Sequence, residues 1–252
     1  MDDHRSSGRH LSLLLVDSEL ELVPMEHWSH PSVTSNARKR GKKASKVLLD
    51  SSLHYSIFTD PSERERRGRP DIIHQFLLVG LDSLLNIEGR LNIYVHTRND
   101  ELIVVSPTVR LPKNYNRWAG LIEELLDSGA VPNRKEPLLE VLPGMDLRKT
   151  MSFITEKHGG TKPYTIAFEQ EGRKVDTIPL FSGLDRELGI EKAVLCLMGG
   201  FSHGDFRSKV VEVSDDVIGL PGGALKVWTV EAEVLVGFRQ GTFRGNRTSG
   251  GA

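Results

Sequence analysis

The chain has one cysteine, no long apolar run and almost no net charge, and each shortage removes a class of protein. Cys196 cannot close an internal disulfide, so a disulfide-built scaffold is excluded, and a single cysteine gives no zinc-ligand spacing. Within "AVLCLM" it reads as a small core residue rather than a reactive thiol. No apolar stretch approaches the roughly 18 residues of a membrane span, and Leu11 to Val16 is too short and too far from a cleavage signal to be a secretory leader. A cytoplasmic protein is expected, with neither membrane nor metal among its partners. What is present, 252 residues of which 38% are hydrophobic and 27% charged, suits one compact domain, or one domain with an insertion.

The net charge of −1 hides a segregation. Between Thr34 and Arg69 stand ten basic residues (Arg38, Lys39, Arg40, Lys42, Lys43, Lys46, Arg64, Arg66, Arg67 and Arg69) against four acids. A single run of this kind is usually a solvated face; a second cluster favours an anionic partner. That cluster lies in "SPTVRLPKNYNRWAGLIEELL", where Pro112 suits a helical first turn, so Lys113 and Arg117 share a face and Arg110 stands just before them. Three cations near a helix N-terminus, with its unpaired N–H groups, form a place for phosphate, and Glu123 and Glu124 lie too far along to neutralise Arg110 and Lys113.

The order of elements is that of an α/β fold with a largely parallel sheet. "LSLLLVDS" (11–18) is a continuous apolar run, as in a strand buried on both faces; "RLNIYVHT" and "ELIVVSP" alternate around "RND" as a hairpin; "YTIAFE" and "AVLCLM" are further strands. Apolar stripes predict helices over 71–86 and 115–127, and a third over 224–236. The basic stretch around 34–69 is an insertion within a domain spanning 11–239, flanked by polar tails at 1–10 and 240–252, the second rich in glycine and arginine.

"LMGGFSHGDF" contains a G-x-S-x-G pattern around Ser202, but only His203 follows that serine, and an adjacent residue cannot serve it as a triad base. A serine hydrolase is therefore rejected. The same stretch is a glycine-rich loop at the carboxyl end of a buried strand, where open α/β sheets bind ligands, and "IGLPGGAL" (218–225) is a second. Neither is a dinucleotide fingerprint or a P-loop, and glycines of this kind are divided between turns and ligand contacts.

Taken together, "GRPDIIHQFLLVGLDSLLN", "SPTVRLPKNYNRWAGLIEELL", "LMGGFSHG" and "IGLPGGAL" resemble the SPOUT-class ribosome-biogenesis methyltransferases that methylate N1 of a pseudouridine in small-subunit ribosomal RNA. The resemblance runs from about Leu11 to Arg239, and the short N-terminal extension points to the archaeal branch. It implies a mostly parallel sheet flanked by helices and ending in a trefoil knot, S-adenosyl-L-methionine as cofactor, and a homodimer. The implied cofactor residues are Met198, Gly199 and Gly204 in the first loop, Leu220, Pro221, Gly222, Gly223, Ala224 and Leu225 in the second, and Phe181 closing the remaining side. The implied RNA contacts are Arg69, held by Asp71, with Arg110, Lys113 and Arg117. Lys113 stands where relatives often carry arginine, a point charge in place of a fork that phosphate contact should survive.

Pseudouridine leaves N1 free as an N–H, which uridine does not, and the base would be flipped from a loop into the site. Asp71 is the first candidate proton acceptor and His74, one helical turn along, the second; a core histidine is the commoner fate of such a residue. Asp71 also suits the first turn of its helix whatever else it does. Two rivals stand beside this reading: a non-catalytic rRNA-binding assembly factor, which would ignore the cofactor, and a SPOUT enzyme acting on ribose or guanine, which would lack the Arg-Pro-Asp segment.

Overall fold

The computed structural model describes residues 9–188 and 192–242. In chain order the strands are β1 (Leu11–Ser18), β2 (Leu91–Thr97), β3 (Glu101–Val105), β4 (Ala130–Val131), β5 (Leu139–Pro143), β6 (Tyr164–Lys174), β7 (Val194–Gly199) and β8 (Asp216–Gly219). The helices are α1 (Pro31–Lys39), α2 (Ser51–His54), α3 (Pro61–Arg66), α4 (Pro70–Leu81), α5 (Leu84–Ile87), α6 (Tyr115–Ser128), α7 (Leu147–Lys157), α8 (Thr177–Leu188), α9 (Val210–Val213) and α10 (Val227–Gly241). No helix among the described residues is long and apolar enough to cross a membrane.

One sheet of order β4-β5-β3-β2-β1-β7-β6-β8 organises the molecule. From β2 to β8 the strands run parallel, while β3, β5 and β4 form an antiparallel edge. β1 lies between two parallel neighbours, Leu13 pairing with Ile93 on one side and Cys196 on the other. Every residue of β1 is buried because both faces are covered. Leu11, Leu13 and Leu15 join the core shared with α4, α6, α8 and α10, whereas Leu14 and Val16 join the core under α7 and α9.

The structure departs from the sequence reading at the helix ends. The helix expected over 71–86 is two: α4 stops at Leu81, and the Ser83 hydroxyl caps α5 by accepting the Asn86 N–H. Leu84 is left exposed and only Leu85 enters the core, so the apolar stripe is not one continuous face. Pro112 lies outside α6, whose cap is Asn114 and whose end is Gly129 at φ 83°, a conformation glycine adopts without steric penalty. Lys113 therefore precedes the helix instead of sharing its face with Arg117. The last helix begins at Val227, three residues later than expected, and continues to Gly241.

Both expected tails begin too far inside the fold. Arg9 is buried and donates to the Lys192 carbonyl at 2.7 Å, and buried Thr242 accepts from Arg90 at 2.7 Å. Residues 1–8 and 243–252 of those tails lie outside the described residues. The basic stretch is itself folded, around a small core of Val23, Val33, Ala37, Val47, Leu49, Ile57 and Phe58. Much of its charge is answered internally: Arg40 and Lys42 meet buried Glu123, Lys46 meets Asp127, and Arg67 meets Glu21.

Candidate ligand cavity and cation rim

At the carboxyl ends of β6, β7 and β8 lies a cavity of about 520 Å³, the position that an open α/β sheet makes available. Met198, Gly199, Gly204, Leu220, Gly223, Ala224 and Leu225 all line it, so the two glycine loops, which in sequence are separate, share one site. Pro221 and Gly222 sit exposed at the turn and do not line it. Phe181 does not either. It is 1% exposed in the α8–α10 contact, edge-to-face with Phe238 at 5.2 Å, because its place on α8 turns it into the core.

Each glycine here has a local reason. An added Cβ on Gly200 would stand 2.3 Å from Ser18 Oγ, and one on Gly199 would stand 2.7 Å from Phe201 Cζ, so this pair lets β1 and Phe201 approach the backbone. Gly204 and Gly223 adopt φ of +79° and +84°. They are turn residues that also face the cavity, and the alternatives of turn or contact do not exclude one another.

The first loop is anchored at its far end by Asp17, which is buried at φ 53°. Its carboxylate accepts the Arg207 N–H at 2.7 Å, the Ser208 N–H at 2.9 Å and the Ser208 hydroxyl at 2.6 Å. Ser202 donates its hydroxyl to the Glu65 carbonyl at 2.6 Å, and His203 Nδ1 donates to the same oxygen at 3.0 Å. Both side chains are thus tied to the backbone of α3 rather than to each other. Cys196 is fully buried, and desolvation pushes its thiol pKa up, as for an inert core residue.

Arg69 reaches the same cavity from the N-cap position of α4. Its Nε donates to Asp71 Oδ1 at 2.8 Å and its Nη2 to Oδ2 at 2.7 Å, a bidentate fork across the turn that Pro70 fixes. That pairing raises the Arg69 pKa above its usual value against the opposing effect of burial. Arg110, Lys113 and Arg117 are exposed around the start of α6, do not line the cavity, and have no ion pair among the described residues. Of the two acids weighed as their partners, Glu123 and Glu124, the first faces Arg40 and Lys42 instead. His74 donates through Nε2 to the Pro112 carbonyl at 2.9 Å and stacks on Trp118 at 4.6 Å. It ties α4 to the segment before α6 and does not line the cavity.

Several lining residues escaped the sequence reading. Phe168 to Glu171 belong to β6, which runs five residues past its expected end, and the rule that ligands bind at carboxyl strand ends could have pointed to them. Phe201, Trp228 and Val230 carry no such signal; they enter because α10 and the first loop close over the strand ends.

An open, mostly parallel α/β sheet with a partly apolar cavity at its carboxyl edge defines a small-molecule-binding α/β protein. Comparison with known proteins narrows the class. The family model described as EMG1/NEP1 methyltransferase matches residues 13–239, and the chain belongs to that family. It is 43% identical over 228 residues to the "Ribosomal RNA small subunit methyltransferase Nep1" of Methanothrix thermoacetophila, covering 90% of this chain and 95% of that one. The protein of the same name from Pyrococcus furiosus is 42% identical, covering 91% and 96%. Among solved structures, Archaeoglobus fulgidus Nep1 bound to S-adenosylhomocysteine superposes with a TM-score of 0.74 at 30% identity, covering 92% of this chain and 98% of that one.

Proposed function

We propose that this protein is an S-adenosyl-L-methionine-dependent methyltransferase that modifies N1 of a pseudouridine in small-subunit ribosomal RNA and takes part in small-subunit biogenesis. The observation that carries this reading is that both glycine loops and Arg69 line one cavity. The names of the relatives and the product-bound structure from Archaeoglobus fulgidus support it.

The residues present fit the cofactor. At about 520 Å³ the cavity is within the range of small-molecule sites, which run from roughly 300 to 1,000 Å³. Phe168, Met198, Ile218, Leu220, Leu225 and Trp228 give it apolar walls suited to an adenine ring. Glu169, Glu171 and Asp205 add carboxylates that complement a sulfonium charge, and burial and the Asp205 charge raise the Glu169 pKa. The cofactor, when bound, supplies a methyl group already activated by positive sulfur.

The chain's part is to hold the acceptor nitrogen in line with that methyl and to take up one proton. Arg69, pre-oriented by Asp71, loses less side-chain entropy when it meets RNA. Both Asp71 oxygens are engaged by Arg69, which supports an orienting role for it more than a proton-accepting one. Arg110, Lys113 and Arg117 continue the cationic rim for the phosphates of a loop whose target base is flipped inward.

The same reading takes the protein to be cytoplasmic, with the segment around β7, β8 and α10 tied in a trefoil knot and two subunits paired. The order β1-β7-β6-β8, in which the chain returns beside earlier strands before α10, supports the knot. Exposed Ile178 and Val236 on the packed helices α8 and α10 support pairing.

Transfer of labelled methyl to two otherwise identical small-subunit hairpins, one with pseudouridine and one with uridine at the loop target, tests the proposal. Label on the pseudouridine hairpin alone, lost in Arg69→Ala, is expected. Label on neither, with tight RNA binding, would leave a binding-only assembly factor; label on both would give the wrong acceptor atom.

A further inference from the structure

Behind the first glycine loop, outside the cavity, stands a buried arginine. Arg66, the last residue of α3, is 6% exposed and does not line the site. Its Nε donates to fully buried Glu19 at 2.7 Å, and Arg98 donates to the other Glu19 oxygen at 2.7 Å. Its Nη1 donates to two loop carbonyls, His203 at 3.1 Å and Asp205 at 2.7 Å. Its guanidinium lies 3.8 Å above the Phe201 ring, which is itself pressed on the Gly199 backbone. Nη2 is buried without a hydrogen-bond partner among the described residues, so the guanidinium is placed for the loop and the ring at the expense of one of its own donors.

We propose that Arg66 is a positioning residue for the cofactor: it clamps residues 201–205 in the conformation that closes the cavity wall. Phe201, Ser202, His203, Gly204 and Asp205 all line the cavity, and the Arg66 side chain touches three of these five directly. Glu19 is what makes the clamp rigid, because it neutralises the buried charge and fixes the plane of the guanidinium. Glu19 also follows β1, and its N–H donates to the Gly200 carbonyl at 3.1 Å, so the sheet and the loop are set by one residue. Arg66 and Arg69 are three residues apart but divide the labour. Gly68, at φ +66° with its carbonyl accepting the Ser51 N–H at 2.8 Å, fixes the turn between them, so that Arg66 faces the loop and Arg69 the cavity mouth.

The inference rests on the proposed function, and the experiment separates the two. Binding of S-adenosylhomocysteine and of the pseudouridine hairpin is measured on the full chain by calorimetry, with melting temperature recorded for each variant. Wild type that binds no S-adenosylhomocysteine removes the functional reading itself. In Arg66→Lys, one ammonium cannot keep the ion pair, both carbonyls and the ring contact together. The expected result is S-adenosylhomocysteine binding weakened about ten-fold or more, the size of a lost charge-assisted contact, with KM for the cofactor rising and kcat and hairpin affinity within about two-fold. A folded Arg66→Lys that binds S-adenosylhomocysteine as tightly as wild type overturns the proposal, as does a loss of both ligands in proportion to a fall in melting temperature. If Arg66→Lys does not fold, the double variant Arg66→Met with Glu19→Gln removes the Arg66–Glu19 charge pair together while Arg98, another partner of Glu19, keeps Glu63 at 3.0 Å, and the same ratio of ligand affinities decides.

Discussion

The Tyr115 hydroxyl donates to Asp50 Oδ2 at 2.5 Å and so joins the first turn of α6 to the cap of α2. The bond crosses from the helix bearing Arg117 to the segment that supports Gly68, just ahead of Arg69. Burial and the Asp50 carboxylate both raise the Tyr115 pKa, so the phenol stays a donor. Tyr115→Phe leaves a largely buried carboxylate oxygen without this donor and is expected to lower stability by about 1 to 3 kcal/mol. Hairpin affinity should fall with it while S-adenosylhomocysteine affinity does not, which denaturant unfolding and calorimetry on the same variant would show.

Asp71→Asn keeps the volume of the side chain and removes the charge that holds Arg69 in a fork. Loss of an acid in the first turn of α4 accounts for about 0.3 to 1 kcal/mol of stability. On the proposed function, the hairpin KM should rise about ten-fold, because the guanidinium must now be ordered by RNA itself. A methyl-transfer assay in which kcat falls at saturating hairpin instead, with KM unchanged, would assign Asp71 the proton.

Arg110, Lys113 and Arg117 are exposed and without ion pairs among the described residues. If they meet phosphates, alanine at each should weaken hairpin binding on any sequence and reduce the salt slope of log K by about 0.7 to 0.9 per contact. Titrations at several salt concentrations measure the slope. Three variants with the wild-type slope would remove these residues from the RNA interface.

Glu231, in α10, is fully buried with both carboxylate oxygens unpartnered among the described residues, and Gly80 of α4 leaves just the room it occupies. Burial raises its pKa well above the usual 4.5, so the folded chain holds a proton that the unfolded chain releases. Stability contributed by this group is therefore fully present below 4.5 and declines as pH rises toward the folded value. Glu231→Gln, which mimics the protonated form, should be more stable than wild type above neutrality and converge with it in acid. His54, His96 and His158, whose pKa values burial lowers, act in the opposite sense below 6.5, so the difference between the two proteins, rather than either curve, is the quantity to measure by thermal unfolding.

What the sequence determined by itself is the part that local chemistry dictates. A largely apolar run at 11–18 reads as a strand covered on both faces, the 3.6-residue stripe of 115–127 as a helix with one buried side, and glycine loops after strands as the carboxyl edge of the sheet. The pairing of Arg69 with Asp71 came from the family resemblance of the Arg-Pro-Asp segment and not from local chemistry, and in the structure the two side chains do meet. Helix ends were not legible, since the caps at Ser83 and Asn114 compete with apolar periodicity over only a few residues. Only the tertiary structure decided which charges are used internally: Glu123 gathers Arg40 and Lys42 across some eighty residues of chain, and Glu19 gathers Arg66 and Arg98. It likewise sent Phe181 to the core and brought Trp228 and Phe201 to the cavity. Those choices depend on which distant segments share a face of the sheet, and a linear pattern of residue types carries no record of that.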